Sequence, residues 1–187
     1  QAGCYNMDFE QGNALGWDLY KGQVNNSVAE ITNTISTSIA NTQFSIMSGG
    51  NDTECGISTV NPFTGNYSLR LGDFTTAGKK AASASRTFLV DSSNANFTYS
   101  FAVVLEDPGH NMSAMPFFKV NVYDHVGNMI QYGEYLVVAG SNMDNTWQSF
   151  SGGFYRDWHT VFVPLEPYIG TNVTVEFISG DCNHGGH

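Results

Sequence analysis

The feature that most constrains this chain is a succession of short apolar runs with β-strand alternation, separated by turns rich in Gly, Asn and Asp. Runs of β-branched and aromatic residues at roughly 8–12-residue spacing are typical of two packed antiparallel sheets. The predicted strands cover residues 68–71, 86–90, 97–105, 117–123, 129–132, 160–163 and 173–178. Residues 27–39 allow a short helix, but their β-branched and Asn content favours an irregular loop. The sequence therefore predicts an all-β, antiparallel β-sandwich.

Length and charge restrict the number of domains and the kinds of partner. The chain of 187 residues is long enough for one core, in which about 70% of the unfolded surface is buried. We expect one β-sandwich domain over residues 1–187 that forms the N-terminal part of a longer polypeptide. The net charge of −10 opposes binding to nucleic acid or to an anionic membrane. No apolar run is long enough for a transmembrane segment, so none is expected.

The cysteine count is odd. The chain has Cys4, Cys55 and Cys182, and its richness in Asn, Ser, Thr and Gly is typical of secreted all-β proteins. One thiol is then free, or its partner lies outside this chain. The sequence leaves the pairing of the three cysteines open.

Two stretches with few strand signals, residues 21–61 and 140–153, are candidates for the rim of a binding face. Flat aromatic rings can cover the apolar C–H faces of sugars. The candidate ligand-binding residues are aromatic side chains in or beside these stretches: Tyr20, Trp147, Phe150 and Tyr155. Trp147 is the best candidate for an exposed platform, and the alternative is that it only anchors its loop. Trp17 and Trp158 lie beside predicted strands and are expected in the core.

Several segments resemble known extracellular β-sandwiches. The segment Met7-Asp-Phe-Glu10, followed by Gly16-Trp17, is similar to the first strand of jelly-roll carbohydrate-binding modules and MAM-type domains, and Gly65-Asn-Tyr-Ser-Leu-Arg-Leu-Gly72 is similar to their second landmark. Further landmarks are residues 101–110, 116–124, 157–161, 167–170, 173–177 and 180–187. In this order they resemble a group of β-sandwich domains in large surface proteins of gliding Bacteroidetes, which are exported by type IX secretion. The pair of loops ending in His110 and His187 is the most specific part of this likeness.

The resemblance implies an antiparallel jelly-roll β-sandwich in a secreted protein at the bacterial cell surface. The resemblance itself implies no particular biochemical activity. We expect a non-catalytic module of a large adhesin, associated with gliding motility. The expected partners are glycans or surface polysaccharide, the type IX secretion machinery and the rest of the same polypeptide. Two features depart from the resembling domains: their aromatic-rich last strand is missing here, and Tyr132 stands where many of them have Cys. The partner of Cys182 therefore stays open.

The resemblance also implies a structural calcium ion. In the similar modules a carboxylate of the first strand helps to hold such an ion, which points to Glu10 together with Asp8. Asn66 and Asp73 flank the neighbouring strand and could supply further oxygen ligands. The ion would join the first strand to its neighbour. The alternative is a solvated carboxylate at a strand edge.

Two Asp/His loops form a second candidate cluster. The segments Asp107-Pro-Gly-His110 and Asp181-x-x-His184-x-x-His187 follow strands that are expected to end on the same side of the sandwich. Two Asp and two or three His would suit zinc or another transition metal. The interpretation we favour is structural, with each loop a turn closed by side-chain hydrogen bonds and the histidines packed between the loops. The candidate set is Asp107, His110, Asp181 and His187.

Catalysis is not expected. The sequence has no nucleophile elbow, zinc-protease helix or phosphate loop. A glycosidase needs two carboxyl groups across a cleft, and the sequence does not place any two of its carboxylates face to face. Glu176 lies between two apolar residues of a predicted strand and is expected to point away from the core. The alternatives to a binding module are a structural spacer of the adhesin and, less favoured, a glycan-active hydrolase.

Overall fold

The computed structural model describes residues 5–25, 27–73 and 78–184. Its strands are β1 (Asp18–Val24), β2 (Ile31–Thr37), β3 (Phe44–Met47), β4 (Ser68–Leu71), β5 (Lys80–Leu89), β6 (Asn96–Glu106), β7 (Phe117–Tyr123), β8 (Met129–Val138), β9 (Gln148–Phe150), β10 (Gly153–Pro164) and β11 (Asn172–Gly180). Helix within these ranges is limited to two 3-10 turns, Met112–Ala114 and Glu166–Tyr168. The prediction of an all-β, antiparallel protein is confirmed.

The strands form three antiparallel sheets. The largest has six strands in the order β2-β1-β5-β11-β7-β8, the second has the order β6-β10-β9, and β3 pairs with β4 in a hairpin. Aromatic side chains from the two larger sheets meet in one core: Tyr99 of β6 lies 5.4 Å from Phe177 of β11, and Phe101 of β6 lies 5.0 Å from Phe118 of β7, measured between ring centroids. The two sheets therefore face each other as a sandwich, and the jelly-roll order of its connections stays a prediction.

Strand β6 shows why the sequence folds in this way. Its burial alternates along the strand, and Tyr99, Phe101, Val103 and Leu105 are all at most 8% exposed. Successive side chains of a strand point to opposite faces, so a run with period two buries one face and leaves the other to solvent. At about 25 cal/mol per Å² of apolar area, each of these side chains stabilises the fold by roughly 1.5–3 kcal/mol.

Two expectations about the first half of the chain are wrong. Residues 27–39 contain strand β2 instead of an irregular loop, and the stretch 21–61 also includes β3. Strand β2 is an edge strand with exposed side chains on both faces. It therefore lacks the alternation by which β6 is recognised.

The segment around Phe9 and Glu10 is also not a strand. It forms turns ahead of β1, which begins at Asp18. Phe9 stacks on Trp17 with ring centroids 4.9 Å apart, and Trp17, 8% exposed, belongs to the core as expected. The buried guanidinium of Arg86 donates a hydrogen bond to the carbonyl of Tyr5 at 3.0 Å. These contacts fix the N-terminal turns on the sandwich.

Candidate functional site

The six-stranded sheet has an outer face that points away from the three-stranded sheet. On β11, Phe177 points into the sandwich, since its ring contacts Tyr99. Side chains alternate along a strand, so Glu176 and Ile178 lie on the outer face. The prediction that Glu176 points away from the core agrees with this geometry. We use the term outer face for this side of the sheet.

Asn121 of β7 occupies the centre of a polar group on the outer face. It is directly opposite Glu176 of β11 on one side and Glu134 of β8 on the other. Lys119 and Tyr123 lie two residues before and after it, on the same face. Lys119 Nζ and Glu134 Oε1 are 3.5 Å apart, so this ion pair lies beside Asn121.

The amide of Asn121 is only half satisfied. Its Nδ2 donates to Glu176 Oε2 at 3.4 Å, while its Oδ1 is buried and has no hydrogen-bond partner among the residues that the structure describes. The residue is 3% exposed. A buried acceptor without a donor costs on the order of 1–3 kcal/mol, and an isosteric apolar residue would avoid that cost. The Asn121 Oδ1 atom can therefore accept a hydrogen bond from a donor that reaches it.

The charges around Asn121 act on neighbouring groups. Ser83 Oγ of β5 donates to Glu176 Oε1 at 3.3 Å. Burial raises the pKa of the Tyr123 phenol, and the carboxylates of Glu176 and Glu134 raise it further. Tyr123 therefore stays a neutral phenol, with a ring and a hydroxyl beside both acids.

A line of paired residues beside Asn121, on the same face, adds apolar side chains to the surface. Across four strands it runs from Lys119 through Ile178 and Ser83 to Tyr20 of β1. Ile178 and Ser83 are 6% and 1% exposed, and Tyr20 is half-buried. The outer face thus combines acceptors, one ammonium donor, two tyrosine rings and an aliphatic floor. Such a surface suits a ligand that has hydroxyl groups and an apolar ring face.

Sequence reasoning found only part of this group. Tyr20 was a candidate and the direction of Glu176 was predicted, while Asn121 was missed. The available signal was a single amide between Val120 and Val122 in an otherwise apolar strand.

Two of the four candidate aromatic residues lie together on the three-stranded sheet. Phe150 of β9 and Tyr155 of β10 have ring centroids 6.5 Å apart, and the Tyr155 hydroxyl donates to Gln148 Oε1 at 2.8 Å. Trp147 is half-buried and packs against the core, so it is not the freely exposed platform that was expected. Tyr20 is on the other sheet, on the outer face.

Trp158 of β10 also differs from its expectation. It is half-buried instead of lying in the core, and its indole N–H donates to the carbonyl of Ser58 at 2.8 Å. The side chain therefore holds the loop between β3 and β4 against β10.

Glu10 and Asn66, two of the proposed calcium ligands, are in direct contact. Both oxygens of the Glu10 carboxylate accept hydrogen bonds from Asn66, and Oε1 also accepts one from the backbone N–H of Tyr67 at 3.1 Å. These hydrogen bonds lower the pKa of Glu10, and the bond from the Asn66 side chain has the largest effect. Asp8 Oδ1 accepts the backbone N–H of Glu10 at 3.2 Å. The pair is a surface cluster, and its calcium ion stays a prediction.

Asp73, the fourth proposed calcium ligand, has other contacts. Its Oδ2 accepts a hydrogen bond from Gln43 Nε2 at 2.6 Å and lies 3.8 Å from Lys80 Nζ. The side chain is 5% exposed. These contacts tie the residue to the start of β5.

The two Asp/His loops do meet at one end of the sandwich. The rings of His110 and His184 have centroids 4.4 Å apart. Asp107 Oδ1 closes its turn by accepting the backbone N–H of Gly109 at 3.0 Å. Burial raises the pKa of Asp181 to about 6. His187 and Cys4 lie outside the described residues.

The described part of the chain holds no group of three or more His, Cys, Asp or Glu side chains arranged to bind a metal ion. Cys182 is buried and Cys55 is half-exposed, and both are free thiols. Burial raises the pKa of the Cys55 thiol to about 11, so this thiol stays protonated at neutral pH.

Comparison with known proteins gives little guidance. No protein-family model matches the chain, and no curated protein matches it. Among solved structures, the chain is similar to the enzymatically active domain of tailspike protein 4 from bacteriophage CBA120, with 12% identity and a TM-score of 0.41. The match covers 93% of this chain and only 18% of the tailspike chain. None of the helical segments in the described ranges has the length and apolarity needed to cross a bilayer.

Proposed function

We propose that this protein is a non-catalytic carbohydrate-binding module that contacts its ligand through the outer face of the six-stranded sheet. The observation that carries the proposal is the buried, unpartnered Oδ1 of Asn121 between the carboxylates of Glu176 and Glu134. Sugar hydroxyls donate hydrogen bonds to such acceptors. Tyr123, two residues after Asn121, and Tyr20, three strands away on the same face, supply flat surfaces for the C–H faces of a sugar.

A ligand can reach Asn121 at a small energetic cost. The Lys119–Glu134 ion pair lies beside it, and the Glu134 side chain is 52% exposed. Surface ion pairs contribute about 0–1 kcal/mol, so opening this pair costs little. A sugar hydroxyl can then donate to Oδ1, and the Lys119 ammonium can donate to a second hydroxyl of the same ligand.

The cellular setting of the proposal rests on the sequence. The resemblance to type IX-secreted surface proteins supports a role in a large adhesin at the bacterial cell surface, where the module would bind glycans or surface polysaccharide. The net charge of −10 agrees with a neutral ligand better than with a polyanion.

A glycan array tests the binding function. We expect the wild-type protein to bind a chemically related set of glycans with saturation. The Glu176→Gln variant, which keeps the size of the side chain and removes its charge, is expected to bind the same set at least tenfold more weakly. Absence of binding by a folded wild-type sample would contradict the proposal and favour a structural spacer.

A hydrolase is the second candidate, because two carboxylates share the outer face. Glu134 and Glu176 are separated by one strand, which places their backbones roughly 10 Å apart at the usual strand spacing. Inverting glycosidases hold their carboxyl groups about 6.5–9.5 Å apart. Release of reducing ends from array-positive polysaccharides, lost in both Glu134→Gln and Glu176→Gln, would establish this activity. The binding proposal predicts no such release.

A further inference from the structure

A small cleft opens at the end of the sandwich where the two Asp/His loops meet. Its volume is about 240 Å³. It lies between the segment after β6 and the segment after β8. Its lining includes Asp107, His110, Met112, Met115, Gly140 and Ser141.

Two methionines line this cleft. Met112 opens a 3-10 turn, Met112–Ala114, and Met115 follows the turn in extended conformation. Both residues are part of the cleft lining. Met115 is 5% exposed and Met112 is 49% exposed, so the first residue is buried and the second is accessible to solvent.

Two imidazoles complete the group. His110 lines the cleft, and the ring of His184 lies 4.4 Å from it. The backbone N–H of Asn183 donates to the carbonyl of Ala114 at 3.0 Å, which attaches the segment carrying His184 to the 3-10 turn. Both histidines and both methionines therefore belong to one packed unit.

We propose that this cleft binds a soft monovalent cation such as Cu(I), with Met112, Met115 and His110 as ligands and His184 next to them. Thioether and imidazole ligands select copper over calcium or magnesium, which prefer oxygen. The Asp107 carboxylate at the rim and the net charge of −10 attract a cation. Zinc fits this set less well, because its usual protein ligands are Cys, His and carboxylates.

Silver(I), a redox-stable stand-in for Cu(I), provides the test. We expect one equivalent of Ag(I) to bind the wild-type protein and to raise its melting temperature, because a ligand that binds only the folded state stabilises it. Anaerobic competition between the protein and a chromophoric Cu(I) chelator measures the affinity for Cu(I) itself. The Met112→Leu/Met115→Leu variant is expected to bind both ions at least tenfold more weakly.

Matched controls separate ligand loss from damage to the fold. Met→Leu conserves volume and is tolerated in cores, and the exposed Met112→Leu change alone reports on the site if the double variant unfolds. Met129→Leu, at the end of β8 opposite to the cleft, is expected to bind like wild type. The proposal is overturned if wild type binds neither ion, if the methionine variants bind as tightly as Met129→Leu, or if Zn(II) binds more tightly than Cu(I) and ignores the methionine changes.

Discussion

Glu10 and Asn66 are 56 positions apart in the sequence and joined by two hydrogen bonds, from the Asn66 backbone N–H at 2.8 Å and from its Nδ2 at 3.0 Å. Gly65 makes this approach possible. A Cβ on Gly65 would lie 2.5 Å from Glu10 Oε1, and the residue has a φ of +135° that side chains disfavour. The contact connects the N-terminal turns to the loop before β4.

The Glu10→Gln variant is expected to be less stable than wild type at neutral pH, because it loses a carboxylate that accepts three N–H groups. The folded-state pKa of Glu10 is below its usual value of 4.5. Its contribution is therefore present above about pH 4.5 and disappears as the pH falls through the folded-state pKa. Melting curves from pH 7 to pH 2.5 should show that the difference in melting temperature between wild type and Glu10→Gln becomes smaller as the pH falls. Glu54→Gln, an exposed loop carboxylate, is the control; a pH-independent difference would contradict the assignment.

Chelation tests the calcium ion that the resemblance implies at Glu10. If the ion binds there, EDTA lowers the melting temperature of wild type by several degrees and leaves Glu10→Gln unchanged, because only a carboxylate supplies a strong ligand for the ion. Differential scanning fluorimetry with EDTA and with added calcium measures both. An unchanged melting temperature of the wild-type protein in EDTA would contradict the predicted calcium site.

The contribution of Asp181 to stability is expected to change with pH in the direction opposite to that of Glu10. Burial is the main cause that raises its pKa from 3.8 to about 6, and the charges of Glu106 and Asp73 add to it. A raised folded-state pKa in an acid means that the protein loses stability as the pH rises from about 4 through 6. Asp181→Asn should therefore stabilise the protein by about 1 kcal/mol at pH 7.5, a value reduced for the partial exposure of the group.

The gain from Asp181→Asn should become small at pH 3.5, where the wild-type carboxyl is protonated in the folded state and mostly protonated in the unfolded state. Urea denaturation at the two pH values measures it. Asp91→Asn serves as the control. Hydrogen bonds from Ser93 lower the pKa of Asp91, so removing this carboxylate should lower the free energy of unfolding at pH 7.5 instead of raising it. A gain of equal size at pH 3.5 would show that packing, and not charge, is responsible.

Trp147→Ala should cost stability even though Trp147 was a candidate for sugar contact. Truncating a fully buried aromatic side chain lowers the free energy of unfolding by about 3–5 kcal/mol. The Trp147 ring is half-buried against the core, so we expect its truncation to lower the free energy of unfolding by about 2 kcal/mol. Tyr155→Phe removes only the surface hydrogen bond to Gln148 and should change stability by less than about 1 kcal/mol. Urea titrations compare them, and a Trp147→Ala protein as stable as wild type would show that the indole is a surface group.

The core strands were predictable because their residues alternate. Seven strands were located from this signal, although β8 and β10 extend well beyond the predicted ranges 129–132 and 160–163. Beyond the predicted part of β10 its register shifts between Arg156 and His159, and a bulge interrupts the period of two. Edge strand β2 had no buried face to reveal it.

A candidate site could be predicted only where its residues lie in short segments next to strands that the sequence itself reveals. The loops of His110 and His184 each follow a strand that could be recognised, and their meeting was expected. The group around Asn121 depends on the lateral order β11-β7-β8. Strand order follows from how all the side chains pack, and neither composition nor spacing contains it. Glu134 and Glu176 are 42 positions apart in the chain, so only the register brings them to either side of Asn121.

The most direct test of the account is calorimetric titration of an array-positive oligosaccharide into wild type, Asn121→Val and Tyr155→Phe. Val fits the β-strand position and removes the orphaned oxygen. Because Asn121→Val also removes the Nδ2 hydrogen bond to Glu176, we predict that it melts within a few degrees of wild type and binds at least tenfold more weakly, while Tyr155→Phe binds like wild type. Wild-type affinity in Asn121→Val, or a loss of binding confined to Tyr155→Phe, would contradict a binding site on the outer face.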